Sequence, residues 1–385
     1  MANHRVTASP RHSPLSLDFS FPAEWERHEG TWLSWPRPEG ISFPGKYHTV
    51  PENLSWIIRE IAQRERVHIN VPNENYERIV REQIGQSKRN PGGVPRKLLE
   101  KQVSFHFIRT NECWCRDHGP AFLTRTLRSG RRELAIVDWG FNAWGGKYPP
   151  YGDDDAVPTE VARIARGPGG RKLPVFEPTH AGKPVVMEGG SVDFNGKGTV
   201  LSTTQCLLHK NRNPHMERKD IERALKNFYG QRHVVWLGEG IDGDDTDGHI
   251  DDLARFVDAR TIVIGMETDP KDANYKPLRE ARRALELARD QDGKAFTIVE
   301  LPMPHRVDFQ DQRLPATYMN FYFVNGAVLV PTYRDRRNDR RAMEILRRLL
   351  PGREVVGIDC WELIWGLGSI HCLTQQVPAG VRVEK

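Results

Sequence analysis

Residues 368–378 read GSIHCLTQQVP, a glycine-flanked polar turn that runs into a strand-like stretch, and the sequence stops before any segment that could return beside it. Working outward, four earlier stretches supply complete hairpins. Residues 103–108 lead past Arg116-Asp117-His118-Gly119-Pro120 to an outgoing run, a turn at Ser129-Gly130 and a return over 134–139. Residues 184–194 turn at Asn195-Gly196, a two-residue hairpin signal, and return over 199–203. Residues 249–257 turn at Asp258-Ala259-Arg260 and return as TIVIGM, and residues 318–324 turn at Asn325-Gly326 and return as AVLVPTY. The turns recur about every 65 residues, each followed by a helical stretch and a short strand. The return strand missing from the last copy is available at the other end, in TWLSW at 31–35. The spacing therefore predicts that the strand of Cys372 pairs with residues 31–35 and closes a ring of five α/β units, which removes open edges. An open α/β sheet with chance spacing is the alternative.

Around these hairpins, Pro51 suits a first helical turn, and Leu54, Ile57, Ile58 and Ile61 share one face of a helix over 51–64. Residues 67–71 read as a buried strand and 76–84 as a second helix. Residues 1–20 are polar, with Pro10 and Pro14, and are expected to be disordered. Residues 21–385 are expected to form one domain.

With 38% hydrophobic and 28% charged residues, the composition is that of a globular protein outside membranes. The net charge of +5 is spread among 51 acidic residues and leaves no nucleic-acid footprint. The arginine-dense RDRRNDRRAMEILRRLL reads as a solvated helix face. No signal-peptide core or membrane-length apolar segment is present. The five cysteines, Cys113, Cys115, Cys206, Cys360 and Cys372, are odd in number and contain no CxxC pair. That argues against a disulfide framework or a cysteine zinc site and fits a cytoplasmic protein. Oligomeric state stays open, a homo-oligomer included.

The polar residues of the outgoing strands occupy equivalent places in the ring, so they should share a centre. The first copy brings Asp117, the second Glu188 in VVMEGGSVDF, the third His249 and Asp251 in DDTDGHIDDLARF, and the last Cys372. On a strand, His249 and Asp251 would project from one face, with Asp247 if the strand reaches so far. Each has a bland reading: Cys372 as packing, Asp117 as partner of Arg116, Glu188 as a turn carboxylate, His249 as a structural histidine. A calcium loop over 242–252 lacks the required glycine and glutamate. Three carboxylates around a thiol repel anions but suit a guanidinium, whose fork of N–H donors matches carboxylates in pairs and whose charge favours the thiolate.

The stretches FPAEWERHEGTWLSWP, ECWCRDHGPAFL, DWGFNAWGGKYPPYGDDDAVP, MEGGSVDFNGKGTVLSTTQCLLHKNRNP, DDTDGHIDDLARFV, NFYFVNGAVLVPTY and GSIHCLTQQVP span residues 21–378. Together they resemble agmatine deiminases, within the guanidino-group-modifying superfamily that includes arginine and peptidylarginine deiminases. The resemblance implies the pentein fold, a five-fold pseudosymmetric α/β propeller. It also implies Cys372 as nucleophile, His249 as general acid and base, Glu188, Asp117 and Asp251 as guanidinium partners, and Trp114 lining the channel. The expected reaction converts agmatine to N-carbamoylputrescine and ammonia through a covalent thiouronium, with no metal or organic cofactor. Leu367 and Ser369 depart from the family's loop before the cysteine, and Cys115 and His118 are also less usual. The rivals are a deiminase of free or peptidyl arginine, a guanidino-binding protein without turnover, and a metal-dependent hydrolase built on the Asp-rich region of His249.

Overall fold

The computed structural model describes residues 13–87 and 92–383. Among them, five sheets share one plan, in which an antiparallel pair is followed by a parallel strand reached through a helix. In the second unit Ala121–Thr126 pairs with Arg132–Val137, which lies parallel to Val175–Phe176. The third joins Val192–Phe194, Thr199–Thr203 and His233–Leu237, and the fourth Ala254–Phe256, Thr261–Met266 and Thr297–Pro302. The fifth joins Tyr322–Val324, Ala327–Thr332 and Glu354–Asp359.

The first unit draws on both ends of the chain. His28–Ser34 runs antiparallel to Thr374–Pro378, with Thr31 opposite Gln376, Trp32 opposite Gln375 and Leu33 opposite Thr374. Its other edge pairs in parallel with Arg66–Val71, and that strand with Val103–Phe107. The predicted union of the terminal strands is thus present. Each unit also touches the next. Arg116 donates to Gln376 Oε1 at 2.7 Å, the Gly190 amide to Asp117 Oδ1 at 2.9 Å, and the Phe256 amide to Asp193 Oδ2 at 2.6 Å. Arg255 donates to the Phe321 carbonyl at 3.0 Å, and the Thr31 and Tyr322 hydroxyls meet at 2.9 Å, returning to the first unit.

Helix amphipathicity explains the outer layer. In Val50–Ala62, Pro51 sits in the first turn and Leu54, Ile57, Ile58 and Ile61 are all buried. In Arg336–Leu349, Asp335 accepts from the Arg337 and Asn338 amides as an N-cap, Ala342 and Leu346 face inward, and the six helix arginines are exposed, as expected of a solvated face.

Several expectations need correction. The structure of residues 1–12 lies outside the described residues, but Leu15–Leu17 is a 3-10 turn, Phe19 is buried and Ser20 bridges to Thr124, so the expected disorder does not reach residues 13–20. The Asn195-Gly196 hairpin is not a two-residue turn, because four residues, 195–198, separate the strand ending at Phe194 from the one beginning at Thr199; the Asn195 side chain accepts from the Lys197 and Thr199 amides and widens it. The outgoing strands are shorter than predicted. Residues 184–191 and 249–253 are not continuous strand, and Cys372 itself precedes its strand. In their place lie the helical turns Cys115–His118, Gly189–Ser191, Ile250–Asp252 and Ile370–Leu373. A pleated strand would send alternate side chains away from the axis; a turn there directs several of them inward.

Candidate active site

Those turns carry the residues singled out from the sequence. His249 Nδ1 lies 3.8 Å from Asp117 Oδ1 and 3.9 Å from Asp251 Oδ1, and its Nε2 lies 3.9 Å from Glu188 Oε2. Cys372 Sγ is 3.8 Å from the other oxygen of Asp251. All five side chains are buried. His249 and Asp251 meet not as same-face strand residues but as the N-cap and second residue of a 3-10 turn. Asp247 does not join them: its backbone is left-handed (φ 66°), and its carboxylate pairs with Lys147 at 2.9 Å and with Arg212.

Glycine makes this convergence sterically possible. At Gly190 a Cβ would stand 2.6 Å from His249 Nδ1, 2.9 Å from Asp117 Oδ1 and 3.1 Å from Asp251 Oδ1. At the neighbouring Gly189 it would run into the Arg116 carbonyl. The pair therefore does more than turn the chain, since it lets the backbone of the third unit approach the centre.

Each carboxylate is oriented by a buried partner. Trp144 Nε1 donates to Asp117 Oδ2 at 2.9 Å, from a run in which Ala143 and Trp144 adopt φ of 51° and 54°. Such left-handed backbone at non-glycine residues costs energy and is typical of functional sites. Arg212 Nε donates to Glu188 Oε1 at 2.8 Å and, against the effect of burial, holds that carboxyl down to about 2. His371 Nδ1 lies 2.6 Å from Asp251 Oδ2 and its Nε2 lies 2.7 Å from Glu24 Oε2. That contact outweighs burial and lowers the pKa of Asp251, leaving its Oδ1 buried with no hydrogen-bond partner.

Burial pushes the Cys372 thiol well above its ordinary range, and Asp251, Asp252 and Asp117 add to the shift. Burial opposes the His249 imidazolium, but Asp117, Cys206 and Glu188 outweigh it and push the pKa well up. Both shifts favour the thiol and the imidazolium. A bound cation would reverse the bias on the sulfur.

Cys372 opens on a pocket of about 210 Å³ whose walls include Trp114, Asp117, Trp144, Tyr148, Phe309 and Trp365. Trp114, expected to line a substrate channel, is one of these walls, and its Nε1 donates to Ser42 Oγ at 2.8 Å. Its indole fits only because residues 366 and 368 are glycine, where a Cβ would come within 2.8 Å and 2.5 Å of the ring. Leu367 between them adopts φ 67°, a left-handed conformation that glycine adopts more readily than leucine.

Several residues of the site were not read from the sequence. Asn320 Nδ2 donates to Cys372 Sγ at 3.1 Å, Asp252 Oδ1 at 3.0 Å and Asp251 Oδ2 at 3.3 Å, while its Oδ1 accepts from Ser369 Oγ and from the His371 and Cys372 amides. It stands two residues before the outgoing strand at Tyr322, as Cys372 stands two before Thr374. The sequence reading runs that strand from 318, and its start at Tyr322 appears only in the structure, so this equivalence is not visible in the sequence. Glu24 left no such signal, although its carboxylate accepts from Arg255, Arg116 and the Phe323 amide and so ties three units together. Among the described residues, Glu188/Cys206/His249 and Asp251/Asp252/Cys372 bring donor atoms close enough to hold a metal ion.

Five like units around a buried thiol, imidazole and carboxylates define a pentein-fold enzyme. The chain belongs to the Porphyromonas-type peptidyl-arginine deiminase family, whose model matches residues 20–378. It is 32% identical to an agmatine deiminase of Pseudomonas aeruginosa, over 97% of this chain and 99% of that one, and 32% identical to one from Pseudomonas syringae pv. tomato, over 95% and 97%. Among solved structures, agmatine deiminase of Enterococcus faecalis superposes with a TM-score of 0.83 at 29% identity, covering 97% of this chain and 99% of that one. A cysteine-to-serine variant of C. jejuni agmatine deiminase with substrate bound gives 0.79 at 29%, covering 94% and 97%. Among the described residues, no helix is long and apolar enough to cross a membrane.

Proposed function

We propose that the chain is a cysteine hydrolase that converts agmatine and water to N-carbamoylputrescine and ammonia. The observation that carries this reading is the charge of the pocket. Its charged lining residues are Glu112, Asp117 and Asp245, and neither lysine nor arginine is among them. Agmatine brings a guanidinium and an ammonium, which suit acids at both ends. Free arginine brings a carboxylate that would meet those acids; Lys147, 3.4 Å from Asp245 Oδ1, and Lys46, 3.9 Å over the Trp365 ring, lie outside that lining. The relatives named agmatine deiminase point the same way.

In the proposed mechanism the guanidinium lies against Asp117, Glu188 and Asp251, and its charge favours the Cys372 thiolate, whose proton leaves to solvent. The sulfur adds to the guanidinium carbon, forming an S–C bond. His249 delivers a proton to one terminal nitrogen, the C–N bond breaks and ammonia leaves, giving a thiouronium. Water then adds to that carbon while His249 takes its proton; the S–C bond breaks and the ureido product departs. The proton left on the added oxygen passes to the departing thiolate, so Cys372 and His249 return to their starting states.

We further propose that residues 21–385 act as one domain, supported by the contacts linking each unit to the next, and that the protein works in the cytoplasm to supply putrescine precursor. The five buried cysteines, odd in number, fit that compartment. The deciding assay measures ureido product and ammonia from agmatine, arginine and a blocked arginine peptide side by side, with wild-type and Cys372→Ala protein. Agmatine should be preferred and the variant inactive; preference for arginine, or wild-type turnover by the variant, overturns the proposal.

A further inference from the structure

The mechanism leaves unused a second thiol on the far side of His249. Cys206 lies in the helical turn Thr204–Leu207, directly after the strand Thr199–Thr203, and its Sγ is 3.9 Å from Glu188 Oε2. His249 Nε2 is 3.9 Å from that same oxygen. The three donor atoms all lie within 4.8 Å of one another, on side chains that are buried. Although buried, His249 Nε2 has no hydrogen-bond partner. Arg212 occupies the other oxygen of Glu188 and so holds Oε2 toward the thiol and the imidazole.

We propose that Cys206, His249 and Glu188 form a binding site for a soft divalent cation of the zinc class. Tetrahedral zinc, with bonds of about 2.0–2.1 Å to nitrogen or oxygen and about 2.3 Å to sulfur, sets its donors roughly 3.3–3.8 Å apart. The two spacings to Glu188 Oε2, each 3.9 Å, need to contract by roughly half an ångström or less, and Cys206 Sγ and His249 Nε2 lie within 4.8 Å of each other. Three protein ligands leave a fourth position for water. Binding releases a proton from the Cys206 thiol and one from His249, so the site strengthens as pH rises. The Arg212 charge works against the ion and keeps the site weaker than a structural zinc centre. The rival group Asp251/Asp252/Cys372 is less suited, because Asn320 Nδ2 already donates to all three side chains where a cation would need acceptors.

Occupation would withdraw His249 and Glu188 from deimination; this consequence, unlike the binding, rests on the function proposed above. Binding is therefore tested without turnover, by titrating Cd²⁺ into Cys372→Ser protein while following the sulfur-to-cadmium charge-transfer band and, by calorimetry with Zn²⁺, the affinity. One equivalent should give the band, and adding Cys206→Ser should abolish it. His249→Gln in the same background should weaken Zn²⁺ by more than the roughly 10–100-fold that loss of an outer partner costs, which provides a second variant should the Cys206 change impair folding. No band in the Cys372→Ser protein, or a band that survives Cys206→Ser, overturns the site. In wild-type protein Zn²⁺ should inhibit agmatine turnover, reversibly with chelator. Absence of turnover would count against the proposed function and leave the binding result intact.

Discussion

Replacing Gly190 by alanine places one methyl group where three functional groups meet. Ordinary contact for a Cβ begins near 3.4 Å, yet at this position His249 Nδ1 is 2.6 Å away, so the imidazole or the backbone must retreat by about 0.8 Å (3.4 − 2.6). Asp117 and Asp251 are also too close, and the Gly190 amide that binds Asp117 Oδ1 would move with its backbone. A displacement near 1 Å costs on the order of 10²-fold in rate, or about 2.7 kcal/mol of barrier. Crowding a packed interior typically costs about 1–3 kcal/mol of stability. The expected variant is thus folded, somewhat less heat-resistant, and about a hundredfold lower in kcat/KM for agmatine. Gly238→Ala is the control, since its added Cβ meets nothing within 4 Å. Steady-state ammonia release and thermal melting on both variants give the comparison. A Gly190→Ala protein with wild-type kcat/KM would refute the claim that close backbone approach holds the centre together.

Asn320→Ala removes the donor to Cys372 Sγ, and loss of one such donor should lower kcat about 10²–10³-fold with a smaller change in KM; the pH profile of thiol alkylation should also move upward. Glu188 is held at about 2 in the fold against an ordinary 4.5, so its ionised form contributes about 3 kcal/mol that is fully present above the ordinary value and lost as pH falls toward 2. Acid titration of the melting temperature should show that loss in this window, and Arg212→Met, which strands the buried carboxylate, should cost about 3–5 kcal/mol at neutral pH. At position 367 the left-handed backbone predicts that Leu367→Gly is more stable than Leu367→Ala by about 1 kcal/mol in denaturant unfolding, and equal stability would remove the strain argument.

The convergence of the site's side chains was legible in the sequence where residue type and repeat position coincided, and was missed where geometry intervened. Asp117, Glu188, His249, Asp251 and Cys372 were reachable because each precedes a recognisable outgoing strand. The period-two argument that placed His249 and Asp251 on one face nevertheless had the wrong backbone, since Asp244 accepts from the His249 amide at 2.8 Å in a turn that no alternation signals. Asn320 was passed over because a lone amide carries no chemistry of its own; it acquires a role only when a sulfur and two carboxylates surround it. Gly190 looked like a turn residue because a sequence does not show what approaches a missing side chain.

By itself the sequence determined the fivefold recurrence and the pairing of residues near Thr31 with those after Cys372. Hairpin turns, helix faces and strand lengths are local properties, and their regular spacing leaves one strand short at one end and one spare at the other. Only the tertiary structure decided which polar groups touch: Glu24 at the junction of three units, Arg212 on Glu188, Cys206 behind His249. These contacts join residues tens to hundreds of positions apart, and their energies depend on burial and on distances of a few ångströms that exist only once the units have packed together.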